Sequence, residues 1–436
     1  MNVLIGILVA FICYVLCPAL SAQETNWTQF RGPRGDGVAV SKKIPVKWSE
    51  SENVKWKVPI AGKAWSSPVV WGNQIWLSSA DEDGRRLEAL CIDANSGKTI
   101  FEIKLFDVEK PQAIHKFNSY ASPTPVIEEG RVYITFGAAG TACIDTKSGK
   151  VLWTRRDLEC NHYRGAGSSP ILYRDTLIMH FDGSDFQYLV ALDKTNGKTV
   201  WKVNRSIDYK DLGADGKPVS EGDFRKAFAT PHVAEIDGIP TLISQGSKAI
   251  YAYDARTGEE IWRVEERSNY SASNRPLFKD GVIYCTSGWS SGQLLAIIPG
   301  KKGEVIDANN PATFKDTQLK ILWGVKRNVP KKPGLIVYGG LVFGIDDSGI
   351  ASCLDSKTGQ ERWRERIGGN YSASPIFADG KIYFFSEEGK TTVISASDKF
   401  EVIGTNQLDG GFMASAAVVG NALILRTKTH LYRIEE

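Results

Sequence analysis

The chain has 436 residues, of which 42% are hydrophobic and 24% charged, with 12 tryptophans and a net charge of +3. This balance excludes an intrinsically disordered chain, and so small a charge over this length argues against a nucleic-acid surface. Low-complexity tracts and long charge runs are absent, and no stretch after residue 22 is apolar enough to span a bilayer.

The first 22 residues stand apart. Val3 to Leu16 is almost continuously apolar, and Ala19-Leu20-Ser21-Ala22 places small residues before the polar Gln23-Glu24. This pattern predicts a signal peptide over 1–22, cleaved near Ser21 or Ala22, and an exported protein of the bacterial envelope, periplasmic or extracellular. Met1-Asn2 carries no Lys or Arg, so an uncleaved anchor is the competing reading. Leu16 precedes Cys17 where a lipidation signal needs a small residue, which argues against a lipoprotein.

Beyond residue 22 the chain repeats itself. Cys91-Ile92-Asp93-Ala94-Asn95-Ser96-Gly97-Lys98 returns, varied, around Asp145 and Gly149, Asp193 and Gly197, Asp254 and Gly258, and Asp355 and Gly359. Four residues after the Gly comes an aromatic, giving Phe101, Trp153, Trp201, Trp262 and Trp363, and a Ser-Pro or Thr-Pro precedes each unit, at Pro68, Pro123, Pro170, Pro231 and Pro375. A period of roughly 40 to 60 residues is that of blade-forming repeats.

Each unit reads as a four-stranded antiparallel sheet. An apolar run such as Val69-Val70 follows the Pro, then a Gly or Asp-Gly turn, then alternating strands such as Val132-Tyr133-Ile134-Thr135. The Asp-to-Gly phrase is the turn between the third and fourth strands: Asp accepts backbone hydrogen bonds and Gly takes positive φ. The aromatic then opens the outermost strand.

Outer strands at Trp56, Phe101, Trp153, Trp201, Trp262, Trp323, Trp363 and near Val402 predict an all-β, eight-bladed propeller. The last three strands, Ser415 to Val419, Ala422 to Thr427 and His430 to Ile434, lack a fourth, whereas residues 53–59 form an outer strand without a sheet. Joining them closes the wheel and removes an open edge. Residues 23–436 are therefore one domain, although about 410 residues ordinarily split into several.

The segments entering each innermost strand share the face opposite the Asp-to-Gly turns and carry the candidate ligand-binding residues: Trp65, Lys116, Asn118, Tyr120, His162, Tyr163, Arg164, Lys226, Asn269, Tyr270, Arg275, Asn370 and Tyr371. Their competing role is to cap inner strands and pack between blades. With Lys63 and Arg225, the basic residues among them are expected to ring a funnel. The positions immediately before each inner strand hold no Asp or Glu, so the mouth is expected to be locally positive and poorly equipped for proton abstraction.

Other motifs lead nowhere. After the signal segment five cysteines remain, Cys91, Cys143, Cys160, Cys285 and Cys353, three of them in a repeat slot that is Ala elsewhere, which reads as buried core. Asp211-Leu212-Gly213-Ala214-Asp215-Gly216, in the insertion Asn204 to Phe224, departs from a calcium loop at Gly213 and Gly222 and reads as an exposed loop. His162 reads as a hydrogen-bonding residue. No catalytic residue and no metal ligand is assigned.

The Ala/Cys-x-Asp-x-x-Thr/Ser-Gly-x-x-x-Trp repeat with its Ser-Pro is similar to that of the pyrroloquinoline quinone (PQQ) propeller superfamily, and Trp27-Thr28-Gln29-Phe30-Arg31-Gly32-Pro33-Arg34-Gly35-Asp36-Gly37 resembles the mature start of its secreted members. That superfamily includes the quinoprotein alcohol dehydrogenases and the non-catalytic outer-membrane assembly protein BamB. The resemblance implies the propeller fold over residues 27–436; it does not decide activity. The family's enzymes use PQQ with calcium or a lanthanide, a catalytic Asp and a vicinal disulfide, whereas this chain has neither adjacent cysteines nor a Cys-x-x-Cys-His haem site. The expected function is a BamB-like binding or scaffold module without a cofactor, holding a protein segment or an anionic small molecule at the mouth. The alternative is a PQQ- and calcium-dependent oxidoreductase.

Overall fold

The computed structural model describes residues 26–289 and 292–436, so the expected signal segment lies outside the described residues. Eight antiparallel four-stranded sheets are arranged as blades around an axis. Blade 1 runs Val69–Trp71, Gln74–Ala80, Arg86–Asp93, Thr99–Asp107, from innermost to outermost strand. The innermost strands of blades 2 to 8 are Val126–Glu128, Ile171–Tyr173, His232–Ile236, Leu277–Lys279, Ile336–Tyr338, Ile376–Ala378 and Ala417–Val419. Blade 4 carries an extra parallel strand, Val305–Asp307, on its outer edge.

The repeated phrase is explained by what its two ends touch. In each turn the Asp carboxylate accepts backbone N–H groups, as Asp93 does from Asn95 and Ser96 at 3.1 and 2.7 Å. Gly97, at φ +71°, lies under the ring of Trp56, Gly149 under Phe101, Gly197 under Trp153, Gly258 under Trp201 and Gly359 under Trp323. Any Cβ there would strike the ring. Trp56, Trp153 and Trp323 each donate their indole N–H at 3.0 Å to a carbonyl in the next blade's turn, at Ala94, Lys194 and Ser356. The aromatic of one blade and the Gly of the next are therefore one joint, with about 1.5–3 kcal/mol of apolar burial behind each large ring.

Closure follows the expected route: Val54–Pro59 pairs antiparallel with His430–Ile434 as the outer strand of blade 8. Ahead of it lies an element that the repeat pattern does not contain. Trp27 pairs antiparallel with Val70, on the channel edge of blade 1, and Thr28 O accepts from Ile127 N of blade 2 at 2.8 Å. The chain turns at Gln29 to Gly35, and Val38–Ala39 descends parallel to the innermost strand of blade 7. Residues 26–39 thus form a stopper inserted into the central channel from the face of the Asp-to-Gly turns. The chain then crosses blade 7, where Trp48 N donates to Asn406 Oδ1 at 2.8 Å, and joins blade 8.

Candidate functional site

Two residues ahead of each innermost strand stands Ser67, Thr124, Ser169, Thr230, Arg275, Gly334, Ser374 or Ser415. In blade 2 this is Thr124-Pro125, one dipeptide later than the expected Pro123. The six hydroxyl residues lace the blades together. Ser67 N donates to Thr124 Oγ1 at 3.0 Å, Thr124 N to Ser169 Oγ at 2.9 Å and Ser169 N to Thr230 Oγ1 at 3.0 Å. From the other side, Gly334 N donates to Ser374 Oγ at 2.9 Å, Ser374 N to Ser415 Oγ at 2.8 Å and Ser415 N to Ser67 Oγ at 3.0 Å.

The ring breaks where the stopper docks. Arg275 Nη1 donates to Phe30 O at 2.6 Å and Nη2 to Gln29 Oε1 at 3.0 Å. A Cβ on Gly334 would overlap the Arg31 guanidinium, which reaches past it to Leu335 O. Two blades give up their hydroxyl, one for a clamp and the other for space.

Above the ring opens a cavity of about 540 Å³. Phe30 of the stopper and the six hydroxyl residues line it, together with Trp65, Phe117, Phe228, Tyr270, Trp289 and Met413 and the polar His115, Lys116, Arg164, Asp223, Lys226 and Lys332. With residues 26–39 in the channel behind it, the mouth is a blind funnel. Trp65 Nε1 donates to Phe117 O at 3.0 Å, and Lys332 Nζ lies 4.2 Å from the Phe117 ring centroid, so groups from well-separated blades meet at the rim.

Of the thirteen residues expected at the mouth, Trp65, Lys116, Asn118, Arg164, Lys226 and Tyr270 line it. The others are placed elsewhere. Tyr120 packs on the Gly84 turn, and Tyr163 lies beside Arg164 and Lys226, whose charges stand 5.4 and 5.5 Å from its ring. Asn269 is buried and accepts from Gly288 N, while Asn370 is exposed and donates to Glu388 Oε1 at 2.8 Å. Tyr371 is fully buried between blades 6 and 7, and Arg275 clamps the stopper. His162 is buried, accepts from Ala138 N at 3.0 Å, and is pushed down to about 4 by burial. Arg225 is paired to Asp211 of the insertion and Lys63 stands over Trp65, outside the cavity lining.

The positive ring is also corrected by an acid. Asp223, from the end of the insertion whose 211–216 segment reads as an exposed loop, folds into the mouth, accepts from Arg164 Nε and Nη2 at 3.3 and 3.2 Å, and bonds Lys226 Nζ. Burial raises its carboxyl, but the bonds from Arg164 and Lys226 outweigh this and hold it below the ordinary range. Burial lowers Lys226 despite that partner. Lys332 pairs with Glu387 at 3.0 Å, while Lys116 has no ion pair among the described residues. Asp223 was missed because it lies three residues before Lys226, outside the segment adjoining the strand. Phe30 was missed because it arrives from the far end of the chain.

A serine, a histidine and an aspartate meet away from the mouth. Ser244 Oγ lies 3.0 Å from His180 Nε2, whose Nδ1 is 3.0 Å from Ala229 O, and Asp182 is gripped by Arg205 at 2.9 and 2.6 Å. All are buried between blades 3 and 4, and Ser244 also accepts from Arg205 at 2.6 Å. This is a packing network: His180 bonds a carbonyl instead of the carboxylate, and the serine is sealed from substrate. The five cysteines among the described residues are buried and unpaired, with burial pushing every thiol up.

The family model described as outer membrane protein assembly factor BamB matches residues 47–297 and 185–434. The chain belongs to the BamB family. Among curated proteins this BamB-family chain is 24% identical over 360 residues to tetrathionate hydrolase of Acidithiobacillus ferrooxidans, covering 74% of this chain and 63% of that one. It spans less than two thirds of the length of the curated relatives it matches. Among solved structures, quinohemoprotein alcohol dehydrogenase from Comamonas testosteroni superposes with a TM-score of 0.67 at 12% identity, covering 95% of this chain and 81% of that one. BamB from Moraxella catarrhalis superposes with a TM-score of 0.57 at 12% identity, covering 87% and 99%. At such identities the structural likeness carries the fold alone.

The quinone–metal pair of the dehydrogenase relatives can be tested against this mouth. Its aromatic walls and cations suit a planar anion. A hard cation needs several oxygen ligands, but Asp223, the one carboxylate lining the mouth, is committed to Arg164 and Lys226, and no group of three or more His, Cys, Asp and Glu stands close enough to hold a metal among the described residues. The residues present do not fit the metal half of that pair.

Proposed function

We propose that this BamB-family propeller is a non-catalytic binding module of the bacterial envelope, holding an anionic small molecule or an acidic protein segment at the mouth of its blocked channel. The carrying observation is the blind cavity in which aromatic walls and cations converge while Asp223, the one lining carboxylate among the described residues, is already engaged. A concave apolar site with a few oriented polar groups is what ligand binding requires, and an unengaged base is what proton abstraction requires. His115 does not supply one: its Nδ1 accepts from Phe117 N at 3.3 Å, which leaves the proton on Nε2. Burial and then the charges of Arg164, Lys116 and Lys226 lower this imidazole, the sign of a positive local field.

The second reading, a PQQ-dependent oxidoreductase, draws on the dehydrogenase relatives and on the aromatic walls. Incubating the purified protein with PQQ and calcium, then measuring bound cofactor by absorbance and dye-linked alcohol oxidation, separates the two. The binding-module reading expects no dye-linked turnover, whether or not PQQ is taken up; stoichiometric uptake together with turnover would overturn it.

A further inference from the structure

Three guanidiniums lie buried close to the floor of the mouth without a carboxylate in contact. Arg31, Arg275 and Arg426 are 2%, 3% and 3% exposed. Their hydrogen bonds go to backbone carbonyls, Ser66 Oγ and Gln29 Oε1. Arg31 Nε and Nη1 and Arg275 Nε have no partner among the described residues. Asp36, which favours the charged forms of Arg31 and Arg275, is itself paired to Arg34 at 3.2 Å. Burial lowers all three, Arg31 to about 10 and Arg275 and Arg426 to about 9, with the charge of Arg31 adding to the effect at Arg275. Buried charge without a counter-ion is costly. Arg205 of the same molecule shows the ordinary remedy, a bidentate bond to Asp182.

A second observation comes from the hydroxyl ring. Ser67, Thr124, Ser169, Thr230, Ser374 and Ser415 all line the cavity, and each side-chain oxygen accepts one backbone N–H. None of the six donates its own proton to an acceptor among the described residues. A hydroxyl in that state still has its proton to donate, beside one remaining lone pair. His115 offers an N–H and Lys116 an ammonium without an ion pair among the described residues at the same mouth, whereas both carboxylate oxygens of Asp223 are already bonded.

We propose that the floor of the mouth is an oxyanion site, which takes the carboxylate or sulfonate head of a small organic anion and packs its apolar body against Trp65, Phe117, Phe228 and Tyr270. The hydroxyls donate to the head and the buried guanidiniums supply the field beneath it. Simple alcohols fit less well because a neutral oxygen takes the same donors more weakly than a charged one and gains nothing from the positive field. Organic cations meet charge of their own sign. This assignment rests on the reading of the mouth as a ligand site and narrows it to one chemistry.

Calorimetric titration of the whole protein with phenylpropionate, phenylpropanol, phenylpropylammonium and inorganic sulfate tests it, with the emission of Trp65 and Trp289 as a second signal. Phenylpropionate is expected to bind about tenfold or more tighter than the alcohol, since hydrogen bonds to a charged group are the stronger ones, and the ammonium is expected not to bind. Equal affinity for acid and alcohol would overturn the oxyanion floor while leaving a ligand site at the mouth. Binding of none of the probes would overturn the small-ligand reading as well. Sulfate as tight as phenylpropionate would overturn the apolar-body assignment in favour of a free inorganic ion. Thr124→Val is expected to weaken the acid severalfold and spare the alcohol, and Thr124→Ser to restore it; should the valine variant fail to fold, the ligand series on the unaltered protein still decides.

Discussion

Gly334 and Arg275 occupy the slot that holds a hydroxyl in the other six blades, and both exceptions serve residues 29–31. Overpacking is therefore sharply localised. Gly334→Ala is expected to lower stability by about 1–3 kcal/mol in a urea melt, because the new methyl displaces the Arg31 guanidinium; a variant as stable as the parent would show that Arg31 is not held there. Histidines make a second prediction. Three of the five are buried: burial pushes His162 down to about 4, His232 to about 3 with Arg275 and Arg31 adding to the effect, and His180 well below its ordinary value. The unfolded chain then binds protons below pH about 6.5 that the folded chain refuses, so stability falls as pH drops through that value. Thermal melts from neutral pH downward should show a decline beginning near pH 6.5, and a melting temperature constant to pH 5 would contradict neutral burial of these rings.

The outer strands were legible because each joint in the wheel requires the same two residue types, an aromatic and a Gly that lies under it. Trp56 could thus be assigned to a blade whose other strands end the chain. The stopper was not legible. Its pairing is non-local, from Val38–Ala39 to Phe377 and Ala378, and its Gly- and Arg-rich turn lacks the alternation of a strand. The mouth was half legible for a related reason. Position relative to the inner strand identified Trp65, Lys116 and Arg164, but the insertion that delivers Asp223 has no counterpart in the other repeats. The two N-terminal elements should separate in truncations. Removing residues 26–40 and keeping 53–59 is expected to lower the melting temperature and preserve one cooperative transition. Removal through residue 59 strips the outer strand from blade 8, exposes an edge, and is expected to give aggregation or loss of cooperativity by size exclusion and circular dichroism. Equal behaviour of the two truncations would contradict the division of labour.

Seen whole, the propeller spends its regular sequence on a closed wheel and its irregular sequence on the axis. The N-terminal stopper fills the channel from the turn face and its Phe30 forms part of the funnel floor, so the mouth is the end of the channel open to a ligand. The functional reading depends on that blockage, since an open channel would have neither a floor nor the arginine field beneath it. Hydrogen exchange over residues 26–39 tests it most directly, because Trp27, Gly32, Gly35 and Gly37 N–H groups are all bonded within the channel. Protection comparable to that of the innermost strands of blades 1 and 7 is the predicted result. Exchange as fast as that of the exposed 213–217 loop would contradict a stoppered channel and, with it, the blind binding mouth.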